Sequence, residues 1–538
     1  MARGPLVRVV LLRLSDEDHV IVLVMHHIVG DGWSIGLFDR ELALLYGAFS
    51  CGRPSPLPDL TLQYADFAHW QRLWLQGREP QRLLELGRRQ LLGARFVLGL
   101  PLDRPRPAAP TYGGARLEFV VPADRTRRLE ELARREGATP FMVLLATFQA
   151  LLGRLTGQDD LCVGTPVAGR TRLETEPLIG VFVNSLVLRA DLSSDPTFVE
   201  LLGRVRSTAL DALARQDLPF EKFVEVLRPD RHPSVHPLFQ AMFVLQDGVQ
   251  DAPGLPGLQA ESVDFEMGST PFDLTLIVSK RDGALEAVME YSTDLFDRPS
   301  IERMAGHFET LLEVFLADPS RRPSEIPLVG LTETLREAQD ARRDTVAVAG
   351  PAPHAPPRGS TERALARIWA DLLGRERVGI HDNFFEAGGH SLIALQLVSR
   401  VREILHVEIP VRRVFERPTI AGLAADIDGP VAARSREDGI ERVLGRAPSA
   451  LSSAQRRLWF IDQMQPGTPA YNIPLALRLR GRLDEDALER SLATIIGRHE
   501  ALRTVFPVVD GEPLQCVLPP RPPGTRPLDL AGLPPGAR

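Results

Sequence analysis

The sequence predicts an α/β protein that also contains a small all-helical unit. Residues 1–330 alternate strand-like apolar runs with amphipathic helices, and a second mixed segment occupies residues 447–538. Residues 360–428 show helical periodicity with little strand signal. The stretches at 331–359 and 429–446 are expected to be linkers, since the first contains a run rich in Pro, Ala and Gly. These boundaries define the expected domains.

The composition is that of an ordinary globular protein. Hydrophobic residues make up 44% and charged residues 25% of the 538 residues, and the formal net charge is −7. A dedicated nucleic-acid-binding protein would carry a basic stripe, which this sequence lacks. The three cysteines lie far apart, which argues against a disulfide framework or a zinc site, and no apolar run is long enough to span a bilayer. We therefore expect a cytoplasmic protein with no metal, no nucleic-acid partner and no membrane partner.

The stretch MHHIVGDGWS at residues 25–34 contains the first candidate site. The apolar, β-branched residues before it predict a buried strand, and its two glycines predict a turn. A helix is expected after the turn, with Ser34 as a candidate N-cap. If the strand runs through both histidines, His26 and His27 point to opposite faces, so that only one of them can line a cavity.

Three interpretations of these histidines compete. A metal site is disfavoured because adjacent strand residues diverge and no third ligand lies nearby. Two structural, hydrogen-bonded histidines would be the usual interpretation of a lone pair. The third interpretation is a general base with a pKa near neutrality, in a turn organised by Asp31. The motif alone does not decide among them.

The surrounding sequence adds a family resemblance. HHIVGDGWS resembles the HHxxxDG signature of condensation domains in nonribosomal peptide synthetases, and six further stretches resemble family segments in the family's order. These stretches are LQYADFAHWQ (62–71), TPVAGRTR (165–172), IGVFVNSLVLR (179–189), RQDLPFEKFVEVL (215–227), RHPSVHPLFQAMF (231–243) and PFDLTLIV (271–278). The resemblance covers residues 1–330 and implies two chloramphenicol-acetyltransferase-like lobes with a tunnel between them. Trp70 and Asn184 lie in these motifs, and a packing role is favoured for both.

The resemblance also implies roles for the residues of the first motif. His27 is expected to position or deprotonate an amine, which attacks a thioester to form an amide. His26 is expected to face the interior of the lobe, and Asp31 to fix the loop. Gly32 is expected to permit the tight turn and to offer its N–H to the substrate. Donor and acceptor are expected on upstream and downstream carrier domains, and the form of the motif resembles the subtype that takes L-configured donors.

A second motif lies in the helical unit. The stretch DNFFEAGGHSLIALQLVSRV (382–401) places Ser391 at the start of an amphipathic helix, where a serine is most often a simple N-cap. A helix N-terminus also stabilises an attached phosphate. The stretch resembles the DxFFxxGGxS motif of peptidyl carrier proteins. That resemblance implies a four-helix bundle in which Ser391 receives 4′-phosphopantetheine from coenzyme A through a phosphopantetheinyl transferase.

The first condensation domain is predicted to lack most of its N-terminal lobe. The family places a sizeable lobe before the HH motif, whereas only 25 residues precede His26 here. Two later stretches, LSSAQRRLWFIDQMQPGTPAYNIP (451–474) and IIGRHEALRTVF (495–506), resemble the first two motifs of such a domain. Residues 447–538 are therefore expected to be the N-terminal part of a second condensation domain, inactive by itself because it has no HHxxxDG.

The polar residues of this last segment are expected to be solvated or structural. They are Ser452, Gln455, Arg456, His499 and Arg503. Placed before residues 1–330, the segment would make up one condensation domain apart from a short gap. We therefore expect one repeat of a modular array, cut out of register.

Residues 331–359 leave no room for an adenylation domain between condensation and carrier domains. Two explanations stay open, deletion of the adenylation domain or loading of Ser391 by another protein, and the expected partner is an adenylation domain in trans. The predicted function is amide-bond formation in nonribosomal peptide and antibiotic biosynthesis. Two alternatives remain open at this point: an inactive fragment that acts only as a carrier or binding module, and a coenzyme A-dependent acyltransferase.

Overall fold

The computed structural model of the chain describes most of the residues outside the linkers. The described residues are 1–107, 111–228, 235–246, 254–263, 268–328, 359–373, 378–382, 384, 397–398, 400–401, 404–405, 407, 409, 413–414, 417–428, 439–443, 448–464, 467–509, 511–521 and 527–532.

The described strands and helices are numbered here in chain order. The strands are β1 (Val7–Ser15), β2 (Asp18–His26), β3 (Gly114–Val121), β4 (Asp160–Val167), β5 (Asn184–Asp191), β6 (Ala241–Gln246), β7 (Gln259–Ser262), β8 (Leu274–Arg281), β9 (Ala284–Ser292), β10 (Ser449–Ala450), β11 (Asn472–Arg480), β12 (Thr504–Val505), β13 (Val508–Val509), β14 (Glu512–Val517) and β15 (Leu528–Asp529). The helices are α1 (Gly32–Phe49), α2 (Tyr64–Trp74), α3 (Arg78–Leu91), α4 (Ala123–Arg135), α5 (Pro140–Thr156), α6 (Phe198–Leu213), α7 (Phe220–Leu227), α8 (Arg298–Ala317), α9 (Ser360–Leu373), α10 (Ile420–Ile427), α11 (Ser453–Met464) and α12 (Glu485–Arg498).

The first lobe, called the histidine lobe because it carries His26 and His27, is built on a five-stranded sheet. Its strand order is β15–β1–β2–β11–β7, and β1 and β2 form an antiparallel hairpin. Alternate residues of β2 are buried, as expected for a strand with one face on the core. Leu42 and Leu45 of α1 pack with Leu492 of α12 in the same hydrophobic core. The helices therefore cover the sheet through apolar faces at helical spacing.

The second lobe is built on a six-stranded sheet in the order β3–β9–β8–β6–β4–β5. Helices α4, α5, α6 and α8 contribute apolar residues to its core, and α5 is buried along most of its length. Strand β7 lies in sequence among the strands of the second lobe, but it pairs with β11 at the edge of the histidine lobe. One strand from the second lobe's sequence thus bridges the two lobes, and the prediction of an α/β fold is confirmed.

The structure differs from the expectation for residues 447–538. Strand β11 pairs antiparallel with β2 over the whole of both strands, from Asn472 opposite His26 to Arg480 opposite Asp18. Helix α12 packs against α1. Residues 1–330 supply only part of the histidine lobe, and the described part of this segment completes the lobe rather than forming a separate unit. The physical reason is that β2 and α1 each have an apolar surface that the segment buries.

The described part of the carrier region includes the helices α9 and α10, and the helical character that the sequence predicts is present there. Helix α9 packs against α10, and the rings of Trp369 and Phe384 meet edge to face with their centroids 4.8 Å apart. The Thr361 hydroxyl donates to Asp428 Oδ1 at 2.8 Å and joins the two ends of the region. Ser391 lies outside the described residues, as does the greater part of both linkers.

No single described helix has the length and apolar character needed to cross a membrane. The pair α4 and α5, bent by 102° at the break between them, meets those criteria on length and composition alone. Most of α5 is buried in the core of the second lobe.

Candidate active site between the two lobes

The two histidines lie at the end of β2, where the chain turns into α1. The strand ends at His26, so His27 already belongs to the turn, and the alternation of strand faces does not extend to it. The helix begins at Gly32, and its N-cap is Asp31, whose Oδ1 accepts from the Ser34 N–H at 2.9 Å. The N-cap is therefore Asp31 and not Ser34, because the carboxylate reaches the free N–H of the third helical residue.

Backbone hydrogen bonds from both ends of the chain hold the histidine pair. The His26 N–H donates to the Leu6 carbonyl and the His27 N–H donates to the Tyr471 carbonyl, each at 2.8 Å. The side chain of His26 accepts from the Ile28 N–H through Nδ1 at 3.1 Å, and burial lowers the pKa of His26 to about 4. Both histidines are half-buried.

The imidazole of His27 has the properties of an uncharged base. Its Nδ1 atom is buried and has no hydrogen-bond partner within the described residues. Burial lowers the pKa of His27, the negative charge of Asp31 opposes that shift, and the guanidinium of Arg457 adds to it. A neutral imidazole can accept a proton or a hydrogen bond from a substrate through whichever ring nitrogen is unprotonated and accessible.

The Asp31 carboxylate faces the protein. Its Oδ1 accepts from the Ser34 hydroxyl at 2.7 Å and from the Arg170 guanidinium at 3.3 Å. Its Oδ2 accepts from the backbone N–H groups of Phe182 and Val183, at 2.8 and 3.1 Å. These bonds tie the histidine turn to the segment that leads into β5 of the second lobe, and so give Asp31 a structural position between the lobes.

The two glycines of the turn differ in what surrounds them. A Cβ on Gly30 would lie 2.2 Å from the Met25 sulfur, so any larger residue there would force the buried Met25 side chain to shift. A Cβ on Gly32 would meet nothing within 4 Å, and the backbone at Gly32 is not left-handed. The structure therefore assigns the steric requirement to Gly30, in contrast to the expectation for Gly32. The space beside Gly32 is open.

A cleft lies between the lobes and is lined by both of them. Its walls include Phe67, Trp70 and Gln71 of α2, Gly169, Thr171, Arg172, Thr175, Val181, Phe182, Val183, Asn184, Gln216, Asp217, Pro219 and Glu221 from the second-lobe side, and Ala454 and Arg457 of α11. Arg457 and Glu221 form an ion pair at 3.4 Å that joins α11 to α7. Burial raises the pKa of Glu221, and the Arg457 charge opposes that shift.

Two of the motif residues have their side chains engaged in the cleft wall. Asn184 donates through Nδ2 to the carbonyls of Gln216 and Leu218, at 2.8 and 2.6 Å, and its Oδ1 accepts from the Phe220 N–H at 3.0 Å. The Arg172 guanidinium lies 4.2 Å from the centre of the Trp70 ring. Both residues therefore pack the wall, which is the role that the sequence favours.

The last segment contributes buried structural groups to the histidine lobe. The Ser452 hydroxyl lies 2.7 Å from that of Tyr64. His499 accepts from the Ile179 N–H through Nδ1, at 3.3 Å, and its Nε2 lies 2.9 Å from the carboxylate of Glu41. Burial lowers the pKa of His499 and, with the hydrogen bond that Nδ1 accepts, keeps this imidazole neutral, so Nε2 donates to Glu41.

Sequence reasoning missed three groups of this site: Arg457, Glu221 and the Tyr471 carbonyl. The motif LSSAQRRLWF draws attention to Arg456, but Arg456 pairs with Glu512 on the surface. Adjacent residues of a helix point about 100° apart, so only one of the two arginines can face the cleft. No signal within the motif decides which one. Within the described residues, no group of three or more His, Cys, Asp or Glu side chains is placed to hold a metal ion.

Comparisons with known proteins agree with this architecture. The sequence profile described as "Condensation domain" matches residues 1–335 and 447–531, and the profile described as "Phosphopantetheine attachment site" matches residues 363–427. The two condensation matches are the same two pieces that form the histidine lobe and the second lobe in the structure.

Curated relatives are much longer than this chain. A linear gramicidin synthase polypeptide of Brevibacillus parabrevis is 49% identical over 333 residues, which is 61% of this chain and 4% of that protein. Phosphinothricin tripeptide synthetase PhsC of Streptomyces viridochromogenes is 44% identical over 331 residues, 61% of this chain and 30% of that protein. The chain thus spans less than a third of either relative.

Solved structures show the same fold. The X-domain from teicoplanin biosynthesis is 31% identical, with a TM-score of 0.58 over 61% of this chain and 75% of that one. A four-domain nonribosomal peptide synthetase bound to AMP and glycine has a TM-score of 0.53 and is 24% identical, covering 69% of this chain and 28% of that one. The second similarity is one of fold alone. The expected two-lobed condensation architecture is confirmed.

Proposed function

Because the chain belongs to the condensation-domain family, whose profile matches more than half of its residues, and carries a phosphopantetheine attachment domain, we propose that it forms amide bonds between carrier-bound substrates. The observation that carries this proposal is the state of His27. Its imidazole is uncharged and lies near Arg457 of the cleft wall, with Nδ1 buried and unpaired within the described residues. A base of this kind is what an attacking amine requires.

The reaction that fits the site is aminolysis of a thioester. The amine nitrogen attacks the thioester carbonyl carbon, the C–N bond forms and the C–S bond breaks. His27 accepts the proton that the nitrogen loses and returns it to the departing sulfur. General base catalysis of this kind contributes roughly 10²–10⁴-fold, and holding both substrates in one cleft supplies the larger share.

The other residues of the site position His27. Asp31 holds the turn to the second lobe, and the Tyr471 carbonyl fixes the His27 backbone. The open space beside Gly32 leaves room for substrate at the start of α1. Arg457 adds positive charge near His27, which favours the uncharged imidazole.

Ser391 would hold the phosphopantetheine group. A serine hydroxyl is the nucleophile that such an attachment needs, and the described helices α9 and α10 form a packed pair on either side of it in sequence. When bound, the group supplies the thiol to which an acyl or aminoacyl unit is attached. The proposed partners are neighbouring synthetase modules and their carriers, a phosphopantetheinyl transferase and an adenylation domain in trans.

The product class follows from the relatives by similarity. The curated relatives are named as gramicidin and phosphinothricin tripeptide synthetases, and we extend to this chain a role in assembling a peptide secondary metabolite. A coenzyme A-dependent acyltransferase is the competing activity, and the test must separate the two.

The test uses the full chain. A permissive phosphopantetheinyl transferase and an aminoacyl coenzyme A would load Ser391 directly, and intact mass should rise by about 340 Da plus the aminoacyl group. A separately acylated carrier then supplies the donor, and mass spectrometry should show the acyl group joined to the aminoacyl group on Ser391. Transfer from free acyl coenzyme A at the same rate would favour the acyltransferase, and no transfer from either donor to a loaded chain would contradict both.

A further inference from the structure

A short segment of the second lobe's sequence runs through the histidine lobe. Residues 178–183, which we call the crossing segment, lie just before β5 and belong to no helix or strand. Four of their side chains are almost fully buried in the core of the histidine lobe: Leu178, Ile179, Val181 and Phe182. Because the crossing segment lies outside any helix or sheet, its buried backbone groups need other hydrogen-bond partners.

Side chains of the histidine lobe supply those partners. The Gly180 N–H donates to the Ser34 hydroxyl oxygen at 3.2 Å, and the Tyr64 hydroxyl donates to the Val181 carbonyl at 2.9 Å. A Cβ on Gly180 would lie 2.0 Å from the Tyr64 ring, so the backbone lies directly against that ring. The crossing segment is therefore held by specific side chains along its length, as a bound peptide would be.

His499 is the partner that comes from the last segment of the chain. It follows directly after α12, and only 1% of its side chain is exposed. Its Nδ1 accepts from the Ile179 N–H at 3.3 Å, and its Nε2 donates to the Glu41 carboxylate at 2.9 Å. Glu41 also accepts from Arg498 at 3.0 Å. The imidazole is therefore fixed by α1 on one side and binds the crossing segment on the other.

The far end of the crossing segment holds the histidine turn. The N–H groups of Phe182 and Val183 both donate to Asp31 Oδ2, at 2.8 and 3.1 Å. Asp31 is the N-cap of α1 and lies four residues after His27. The position of the turn that carries His27 therefore depends on where the crossing segment lies.

These contacts form a closed ring. The ring leads from Asp31, at the start of α1, along the crossing segment to Ile179. From there it returns through His499 to Glu41, on the same helix α1. Each member of such a buried ring has little freedom, since protein interiors are close-packed. A shift of the Ile179 N–H is therefore expected to move the two N–H groups that bind Asp31.

We propose that His499 is a positioning residue for the reaction at His27, because it holds the crossing segment that fixes the histidine turn. This inference rests on the proposed function, amide formation with His27 as the base. It adds a residue of the last segment on which the geometry of that base depends, although His499 itself is buried in the histidine lobe and bonded to protein groups through both ring nitrogens.

Two substitutions separate the two hydrogen bonds of His499. The side-chain oxygen of asparagine lies close to the position of Nδ1, so His499→Asn keeps an acceptor for the Ile179 N–H. The amide of glutamine reaches the position of Nε2, so His499→Gln keeps the contact with Glu41 and removes that acceptor. The matched control is Ser491→Ala, which removes a buried hydrogen bond within α12, from the Ser491 hydroxyl to the Ala487 carbonyl at 2.6 Å.

The full chain is assayed below the melting temperature of every variant, with a soluble acyl thioester and a soluble aminoacyl thioester of pantetheine. His499→Gln should lower kcat about ten-fold with KM changed less than about two-fold, because the base is displaced and no substrate contact is removed. His499→Asn should keep the rate within about three-fold of the parent, and Ser491→Ala should leave it unchanged. Equal losses in the two His499 variants would overturn the inference, as would a parental rate in His499→Gln.

The pH profile of kcat/KM distinguishes positioning from a loss of stability. Burial lowers the pKa of His27, and the negative charge of Asp31 opposes that shift. If the crossing segment no longer holds Asp31 in place, the pKa of His27 should fall further, and the acid limb of the profile should move to lower pH in His499→Gln. A profile that is reduced in height but not shifted would show that His499 has only a structural role.

Hydrogen exchange decides the inference even if the chain forms no amide. Exchange of residues 178–183 and 27–34 should accelerate about ten-fold in His499→Gln and change little in His499→Asn and Ser491→Ala. Unchanged exchange at 27–34 would contradict the coupling, because the crossing segment would then loosen without the turn. A parent chain that forms no amide but shows the expected exchange pattern would contradict the proposed function while supporting the coupling.

Discussion

The Asp31 carboxylate and the Arg170 guanidinium approach within 3.3 Å of each other in the buried junction between the lobes. Arg170 is almost completely buried, and it also donates to the carbonyls of Thr175 and Leu178 and lies 4.0 Å from the centre of the Phe182 ring. Asp31 thus neutralises a buried cation while it caps α1. The carboxylate of the HHxxxDG motif is in this way a part of the lobe interface.

Replacing Asp31 by Ala should destabilise the protein strongly. The change leaves the Arg170 charge and two backbone N–H groups buried without their acceptor, for which a cost of about 3–5 kcal/mol in unfolding free energy is expected. Urea unfolding measures this. The control is Asp16→Ala, which removes an exposed carboxylate and should leave the midpoint unchanged. A stable Asp31→Ala protein with low activity would mean instead that the carboxylate acts on substrate.

Substitution of His27 should mainly reduce activity, whereas substitution of His26 should mainly reduce stability. His27→Ala should lose about 10²–10⁴-fold in the rate of amide formation, because the base is removed, with little change in melting temperature. His26→Ala should lose about 1 kcal/mol of stability, because the Ile28 N–H loses its acceptor. Both variants are assayed with loaded carriers and by thermal melting. A folded His27→Ala protein that condenses at the parental rate would leave catalysis to proximity alone.

The docking of the last segment onto the histidine lobe predicts a distant effect of Leu492→Ala. Leu492 is fully buried on α12, and removing its side chain should cost about 2–5 kcal/mol. Because α12 packs on α1 and β11 pairs with β2, hydrogen exchange should accelerate in α1 and β2, more than 440 residues away in sequence. Leu92→Ala, at an exposed site, is the control. Unchanged protection in β2 would show that the segment does not cover the lobe.

Stability should fall as the pH drops below about 6.5. Burial, with a contribution from Arg457, lowers the pKa of His236 to about 3, and burial lowers that of His26 to about 4. Between an unfolded pKa of about 6.5 and these values the unfolded chain binds protons that the folded chain does not. Each histidine therefore lowers the free energy of unfolding by up to about 1.4 kcal/mol for every unit by which the pH falls across that window.

The variant His236→Gln tests the contribution of a single group. The His236 ring stacks among Phe220, Phe239 and Phe272, so the variant has a packing cost that is present at every pH. Unfolding free energies measured at pH 8 give that cost. Between pH 6.5 and 4 the variant should lose less stability than the parent, and equal slopes would mean that His236 does not titrate in this window.

The sequence by itself determined the local elements and the motifs. The strand that leads to His26, the turn after it and the helix α1 follow from apolar periodicity and from glycine, and the carrier helices follow in the same way. These features depend on residues within a few positions of one another, so they are visible in short windows. Family resemblance added the two condensation segments and the carrier, together with the candidate roles of His27 and Ser391.

The tertiary structure decided which pieces share a lobe and which side chains share a site. The pairing of β11 with β2, the bonds of Glu41 with His499 and the approach of Arg457 to Glu221 join residues that are more than 200 positions apart. Periodicity specifies which face of an element is buried, but not which other element buries it. The partner is selected by the fit of apolar surfaces and by the satisfaction of buried polar groups, which exist only in the folded chain.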